Sequence, residues 1–218
     1  MPAVFDVNET TLDLAPVRSV VDDLVGSEGG FVVWFQKLLQ LSMTTTTTGN
    51  YRDFSSLASD ALHAVAAMGG RSLPDDAMAG LGAAFGQLQP YADVKIGLER
   101  LRAGGWTTIA LTNSAPAAVQ SQLEGAGLTP LFDHILSVEA VRTYKPAAAP
   151  YEHAAEVAGV KPSQLLMVAC HDWDLAGARA AGCDTAFIRR PGMSYAATFP
   201  APEYSAADFN DLADQLLA

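Results

Sequence analysis

Ala3-Val4-Phe5-Asp6-Val7-Asn8-Glu9-Thr10-Thr11-Leu12-Asp13 is an apolar run that breaks at an acid and continues into a polar cluster. A strand of a parallel sheet is buried on both faces, so it reads as continuous apolar residues, and its polar residues begin where it reaches the sheet edge. Three further runs have the same form. Trp106 to Leu111 follows a helical segment, Leu98 to Ala103, and a Gly104-Gly105 stop, and it runs into Thr112-Asn113-Ser114. Leu165 to Ala169 follows a helix around Tyr151 to Ala158 and runs into Cys170-His171-Asp172-Trp173-Asp174; Thr185 to Ile188 leads to Arg189 and Arg190. Ile135 to Val138 is a shorter strand ahead of Lys145-Pro146. Strands alternating with helices imply crossover units and an α/β fold with a parallel sheet. In such sheets the ligand crevice lies beyond the carboxyl ends of the strands, which is where the polar clusters fall.

Between the first strand and the second lies a long segment without a convincing strand. Val17 to Val25, Phe31 to Met43, Phe54 to Met68 and Met78 to Leu88 have the apolar spacing of amphipathic helices. The expectation is a helical cap over residues 13–89, inserted into a core made of residues 1–12 and 90–218. Thr44 to Thr48, followed by Gly49-Asn50, have low helix propensity and predict a loop or a frayed helix end.

Twenty-four acidic against 13 basic residues give a formal charge of −11, with no Lys/Arg cluster to reverse the field locally, so nucleic acid and anionic membrane surfaces are poor partners. No apolar stretch approaches the ~20 residues of a membrane span, and the N-terminus lacks the pattern of a signal peptide, so a cytoplasmic protein is expected. Cys170 and Cys183 match no zinc spacing and are read as reduced thiols.

The polar clusters, taken in order, resemble the four motifs of the haloacid dehalogenase superfamily. Phe5 to Asp13 is similar to the first, Leu111-Thr112-Asn113 to the second, Lys145-Pro146 to the third and Trp173-Asp174-Leu175-Ala176-Gly177-Ala178 to the fourth. Tyr144-Lys145-Pro146 with Tyr151, the Trp34/Gln36 segment, Tyr51-Arg52-Asp53-Phe54 and Trp173-Asp174 are similar to the L-2-haloacid dehalogenase branch. The resemblance implies a Rossmann-like core with an inserted cap, no cofactor or metal, and a small haloacid as substrate. It also implies Asp6 as nucleophile, Thr10 orienting it, Thr112 and Asn113 binding the substrate carboxylate or the ester oxygens, Lys145 keeping Asp6 ionised, and Asp174 partnering Lys145. Tyr151, Phe54 and Trp173 would line the pocket, with Phe35, Gln36 and His171 also on the substrate side. Members of this branch often pair, which leaves a homodimer open.

Chemistry supports that reading. A carboxylate displaces halide from C2 in one in-line step if it is ionised, poorly hydrated and held near attack distance. A neighbouring ammonium lowers its pKa and offsets the cost of burial. The rival reaction is phosphoryl transfer by the same nucleophile. Phosphatases of the superfamily normally carry an acid two residues after the nucleophile, where this chain has Asn8; four residues before Asp174 is Cys170, a poor ligand for a hard cation.

Three positions depart from the dehalogenase pattern: Phe35 where an arginine is expected, Ala169 where a serine is expected and His171 where an asparagine is expected. Two further readings therefore stay open, a different haloacid cradled by Phe35 and Trp34, and a catalytically weak relative that kept the fold. His171 either supplies some of the missing positive charge or is only hydrogen-bonded, and Asp174 has a helix-capping role as its rival.

Overall fold

The computed structural model describes residues 1–218 and divides into two compact units. One comprises Leu14–Gln89, the other Met1–Asp13 with Pro90–Ala218.

The first unit is all helical, with α1 (Ala15–Val25), α2 (Gly30–Thr47), α3 (Phe54–Met68) and α4 (Ala77–Phe85). Each buries one stripe: Val17, Val21 and Val25 from α1, Phe31, Trp34 and Leu38 from α2, and Leu57, Ala61, Leu62 and Val65 from α3. That spacing of three and four residues is the helical period. Asp53 caps α3 by accepting from the Ser56 N–H at 2.8 Å. Of the two expectations for the threonine run, the structure has the helix end and not the loop: α2 continues through Thr47 and stops at its C-cap, Thr48. Thr44, Thr47 and Thr48 donate their hydroxyls to the carbonyls four residues back, and Thr45 to the carbonyl three back, at 2.8–2.9 Å. Those bonds keep the β-branched side chains within helical geometry.

The second unit holds β1 (Pro2–Asp6), β2 (Leu12–Asp13), α5 (Val94–Ala103), β4 (Thr107–Thr112), α6 (Pro116–Gly125), β5 (His134–Ser137), α7 (Ala148–Val157), β6 (Leu166–Ala169), α8 (Asp172–Ala180), β7 (Asp184–Ile188), β8 (Tyr204–Ala206) and α9 (Phe209–Leu217), while the two-residue β3 (Gln89–Pro90) spans the point in the chain where the first unit ends and the second resumes. Six strands form one sheet in the order β5-β4-β1-β6-β7-β8, and each neighbouring pair is parallel. All five residues of β1 are buried. Val4 joins a cluster with Ile109, Leu111, Met167, Leu175 and Phe187 on one face, while its neighbour Phe5 lies 5.3 Å from the Phe209 ring and 6.2 Å from Phe132. Both faces are dry, which is why the strand shows no alternation.

The chain builds outward from β1 through β4 to β5, then returns to lay β6, β7 and β8 on the other side. The switch point therefore lies between β1 and β6, and the crevice at their carboxyl ends is where an α/β sheet presents a ligand site. Register sets the depth: Asp6 is level with Leu111, and Phe5 with Val168.

Candidate active site

Asp6 closes β1, and the chain after it doubles back tightly. The N–H groups of Thr11 and Leu12 both donate to the Val7 carbonyl at 2.9 Å, and the Thr11 hydroxyl donates to the Asp6 carbonyl at 2.7 Å. Glu9 turns the corner with φ +62°, a left-handed conformation uncommon for a side chain of its size. The turn sets the Thr10 hydroxyl on Asp6 Oδ2 at 2.8 Å, while the Cys170 N–H donates to the same hydroxyl at 3.0 Å. Arg190, two residues beyond the end of β7, steadies the loop by donating from Nε to the Thr10 carbonyl at 3.0 Å.

Lys145 enters from the loop before α7 and is fully buried. Its three ammonium protons have three acceptors: Asp6 Oδ1 at 2.8 Å, Asp174 Oδ2 at 2.6 Å and the Leu111 carbonyl at 3.3 Å. Asn113, after β4, fixes that loop by accepting the Lys145 N–H on Oδ1 at 3.2 Å. Gly177 of α8 allows the loop to come this close, since a Cβ there would stand 2.4 Å from the Pro146 carbonyl oxygen. Asp174 lies in the first turn of α8, and its Oδ1 accepts the Tyr151 hydroxyl at 2.6 Å.

The carboxyls of Asp6 and Asp174 are driven apart. Burial opposes ionisation of Asp6, but the Lys145 charge and the His171 hydrogen bond outweigh it and hold the group well below the usual carboxylate range. Burial raises Asp174, and the Asp6 charge adds to that against the opposing pull of Lys145. Burial also works against the Lys145 ammonium, yet Asp174 and Asp6 together raise its pKa. Burial and Asp174 push the Tyr151 hydroxyl well above its ordinary value, so it stays a donor. The deeper partnership thus leaves Asp6 as the ionised carboxylate.

His171 stands at the N-cap position of α8, and both its ring nitrogens are engaged elsewhere, Nδ1 with Asp6 Oδ2 and Nε2 with Glu9 Oε2, each at 3.1 Å. Burial works against the imidazolium, but the Cys170 sulfur, Asp6 and Glu9 around the ring outweigh it and raise the pKa well above 6.5. Strand β6 stops at Ala169, so Cys170 and His171 lie in the turn into α8. Trp173 stacks on the His171 ring with centroids 5.4 Å apart.

The core unit thus gathers Asp6, Thr10, Lys145, Asp174, Tyr151 and His171 into one bonded cluster, with Asn113 and Trp173 supporting it. Thr112, buried at the tip of β4, accepts the Ser114 N–H at 3.1 Å. Phe35, Gln36 and Phe54 belong to the helical unit. There Phe35 stacks on Phe31 at 5.6 Å and 8°, Gln36 is exposed on α2, and Phe54 is the buried first residue of α3. Trp34 is a core residue of that unit, donating its indole N–H to the Ala58 carbonyl at 3.0 Å. Sequence reasoning passed over Glu9. Its signal was an acid three residues beyond Asp6, in a loop short enough to share the buried site.

Known proteins carry the same arrangement of elements. A family model described as haloacid dehalogenase-like hydrolase matches residues 3–182. The (S)-2-haloacid dehalogenase 1 of Pseudomonas sp. (strain CBS-3) is 31% identical over 216 residues, covering 98% of this chain and 95% of that enzyme. The (S)-2-haloacid dehalogenase of Pseudomonas sp. (strain YL) is 30% identical over 202 residues, or 92% of this chain and 87% of that enzyme. The L-2-haloacid dehalogenase of Xanthobacter autotrophicus, solved with chloropropionic acid covalently bound, superposes with a TM-score of 0.89 at 27% identity over 99% of this chain and 97% of that one. With this sheet order, these strand-tip residues and these relatives, the chain belongs to the haloacid dehalogenase-like hydrolases, on the branch that holds the (S)-2-haloacid dehalogenases.

Proposed function

We propose that the chain is a hydrolase that breaks the carbon–halogen bond of small 2-haloacids, with Asp6 as covalent nucleophile. One observation carries the reading: a buried carboxylate at the tip of β1 kept ionised by the Lys145 ammonium at 2.8 Å. Such a group is poorly hydrated yet charged, which is what displacement at a saturated carbon requires. Asp6 attacks C2, halide departs with the bonding electrons, and an aspartyl ester forms. Water then adds to Cγ of Asp6, the original Cγ–O bond breaks, and a 2-hydroxy acid leaves. Lys145, fixed by Asp174 and Asn113, holds the carboxylate, Thr10 orients it, and Tyr151 steadies Asp174. Thr112 and Asn113 are assigned to the substrate side of the tip.

The donor set argues against the phosphatase alternative. Asn8 donates to the Ser114 hydroxyl at 3.3 Å, and its carboxamide is not an acid that could protonate a leaving oxygen. Asp6 shares its carboxylate with two cationic side chains, and the residue four before Asp174 is a buried thiol, surroundings that suit a hard divalent cation poorly.

The test is chloride release from (S)-2-chloropropionate in water enriched in oxygen-18. Asp6 should gain label over many turnovers, and Asp6→Asn should release no chloride. Phosphate release from p-nitrophenyl phosphate that needs magnesium, without chloride release, would overturn the reading.

A further inference from the structure

We propose that His171, held as an imidazolium by Glu9, is the oxyanion donor for hydrolysis of the aspartyl ester, with Glu9 as its positioning residue. The inference rests on the ester reading above and deepens it.

The two oxygens of Asp6 are not equivalent. Oδ1 meets only the Lys145 ammonium, whereas Oδ2 takes the Thr10 hydroxyl at 2.8 Å and His171 Nδ1 at 3.1 Å. An oxygen that accepts two hydrogen bonds is the poorer nucleophile, so Oδ1 makes the bond to C2 and becomes the ester oxygen. Oδ2 is left as the ester carbonyl, the atom on which negative charge appears when water adds to Cγ. Thr10 and His171 already point at that atom within the distance an oxyanion site needs.

Proton counting gives His171 its charge. A neutral imidazole has one donor and one acceptor nitrogen, but here each nitrogen faces a carboxylate, Asp6 on one side and Glu9 on the other. Both nitrogens therefore carry protons. The groups facing the ring are Asp6 from β1, Glu9 from the loop after it and Cys170 beside it, with Lys145 reaching it through Asp6. When Asp6 becomes a neutral ester, Glu9 remains as the carboxylate that keeps the second proton in place. Trp173 stacks on the ring and fixes its plane. The left-handed backbone at Glu9 is a strained conformation sustained where the side chain has a task.

The reaction balances with His171 keeping its proton throughout. Halide leaves in the first step. In the second, water oxygen bonds Cγ, charge collects on Oδ2, and the Cγ–Oδ1 bond breaks on collapse. One water proton ends on the product hydroxyl and the other is released when Asp6 ionises again.

The full chain, mixed rapidly with (S)-2-chloropropionate, tests this through chloride release and intact mass. His171→Gln should give a burst of about one chloride per chain, accumulate the propionate adduct on Asp6, and turn over roughly a hundredfold more slowly. Glu9→Gln should keep the burst and move the alkaline fall in turnover to lower pH. Unchanged turnover in His171→Gln, loss of the burst itself, or a rate that rises with pH as a neutral histidine base would require, each overturns the proposal. If His171→Gln does not fold, the pH profile of Glu9→Gln decides, and an unmoved alkaline limb overturns it. Failure of the underlying reading looks different: wild-type chain releasing chloride with no oxygen-18 in Asp6.

Discussion

Lys145 is the residue on which the site depends, because it is a fully buried cation with no unused proton and two carboxylates to neutralise. Removing one partner of a buried ion cluster costs about 3–5 kcal/mol, since the remaining charges stay desolvated. Lys145→Met is therefore expected to lower the unfolding free energy by about that amount and to cut chloride release roughly a hundredfold or more, read by denaturant titration and a halide electrode. His171 gives a pH signature of its own. Its pKa is raised on folding, so its contribution to stability is full below about 6.5, the ordinary histidine value, and is lost as pH rises through the folded value. Wild-type stability should fall across that alkaline window, and His171→Gln should flatten the slope; equal slopes in the two proteins would contradict the assignment.

Two elements carry predictions of opposite sign. Helix α8 presses Gly177 against Pro146 so tightly that any Cβ must move the loop bearing Lys145. Gly177→Ala should destabilise the protein by about 1–3 kcal/mol and lower turnover together with it, measured by thermal unfolding and chloride release. In α2 the exposed threonines Thr44 and Thr47 hold helical geometry against a weak propensity. Thr44→Ala and Thr47→Ala should each stabilise by roughly 0.5 kcal/mol and leave chloride release untouched. A loss of stability in both would mean that the hydroxyl-to-carbonyl bonds contribute more than propensity.

On the scale of the whole molecule, the sheet-bearing unit is assembled from two chain segments that flank a long helical insertion. Arg190 ties those segments together. It donates to the Thr10 carbonyl from Nε and to Asp93 from Nη1 at 2.7 Å, while lying over the Tyr91 ring at 4.0 Å. Burial works against the Asp93 carboxylate, but the Arg190 bond and the Phe209 N–H hold it below its ordinary range. Arg190→Met should cost about 3–5 kcal/mol and slow chloride release through the loosened Thr10 loop, and hydrogen exchange in residues 7–12 should rise with it.

Much of this was legible in the chain itself. Apolar runs ending in polar clusters marked β1, β4, β6 and β7 and put Asp6, Thr112 and Asp174 at strand tips or just beyond, because burial on both faces leaves no alternation and strand ends are where polar groups reach the crevice. Helical spacing also marked the four helices of the insertion. The threonine run left a loop and a helix end both open because propensity is local and takes no account of hydroxyls that bond back to their own helix. Tertiary structure alone decided the pairing of Lys145 with both Asp6 and Asp174 across 139 and 29 residues of chain, and the bridge of His171 between Asp6 and Glu9. Sequence determines which groups stand at strand ends, a matter of periodicity and burial; which of them share a proton or a charge depends on distances of about 3 Å between segments far apart in the chain, and only the folded sheet sets those distances.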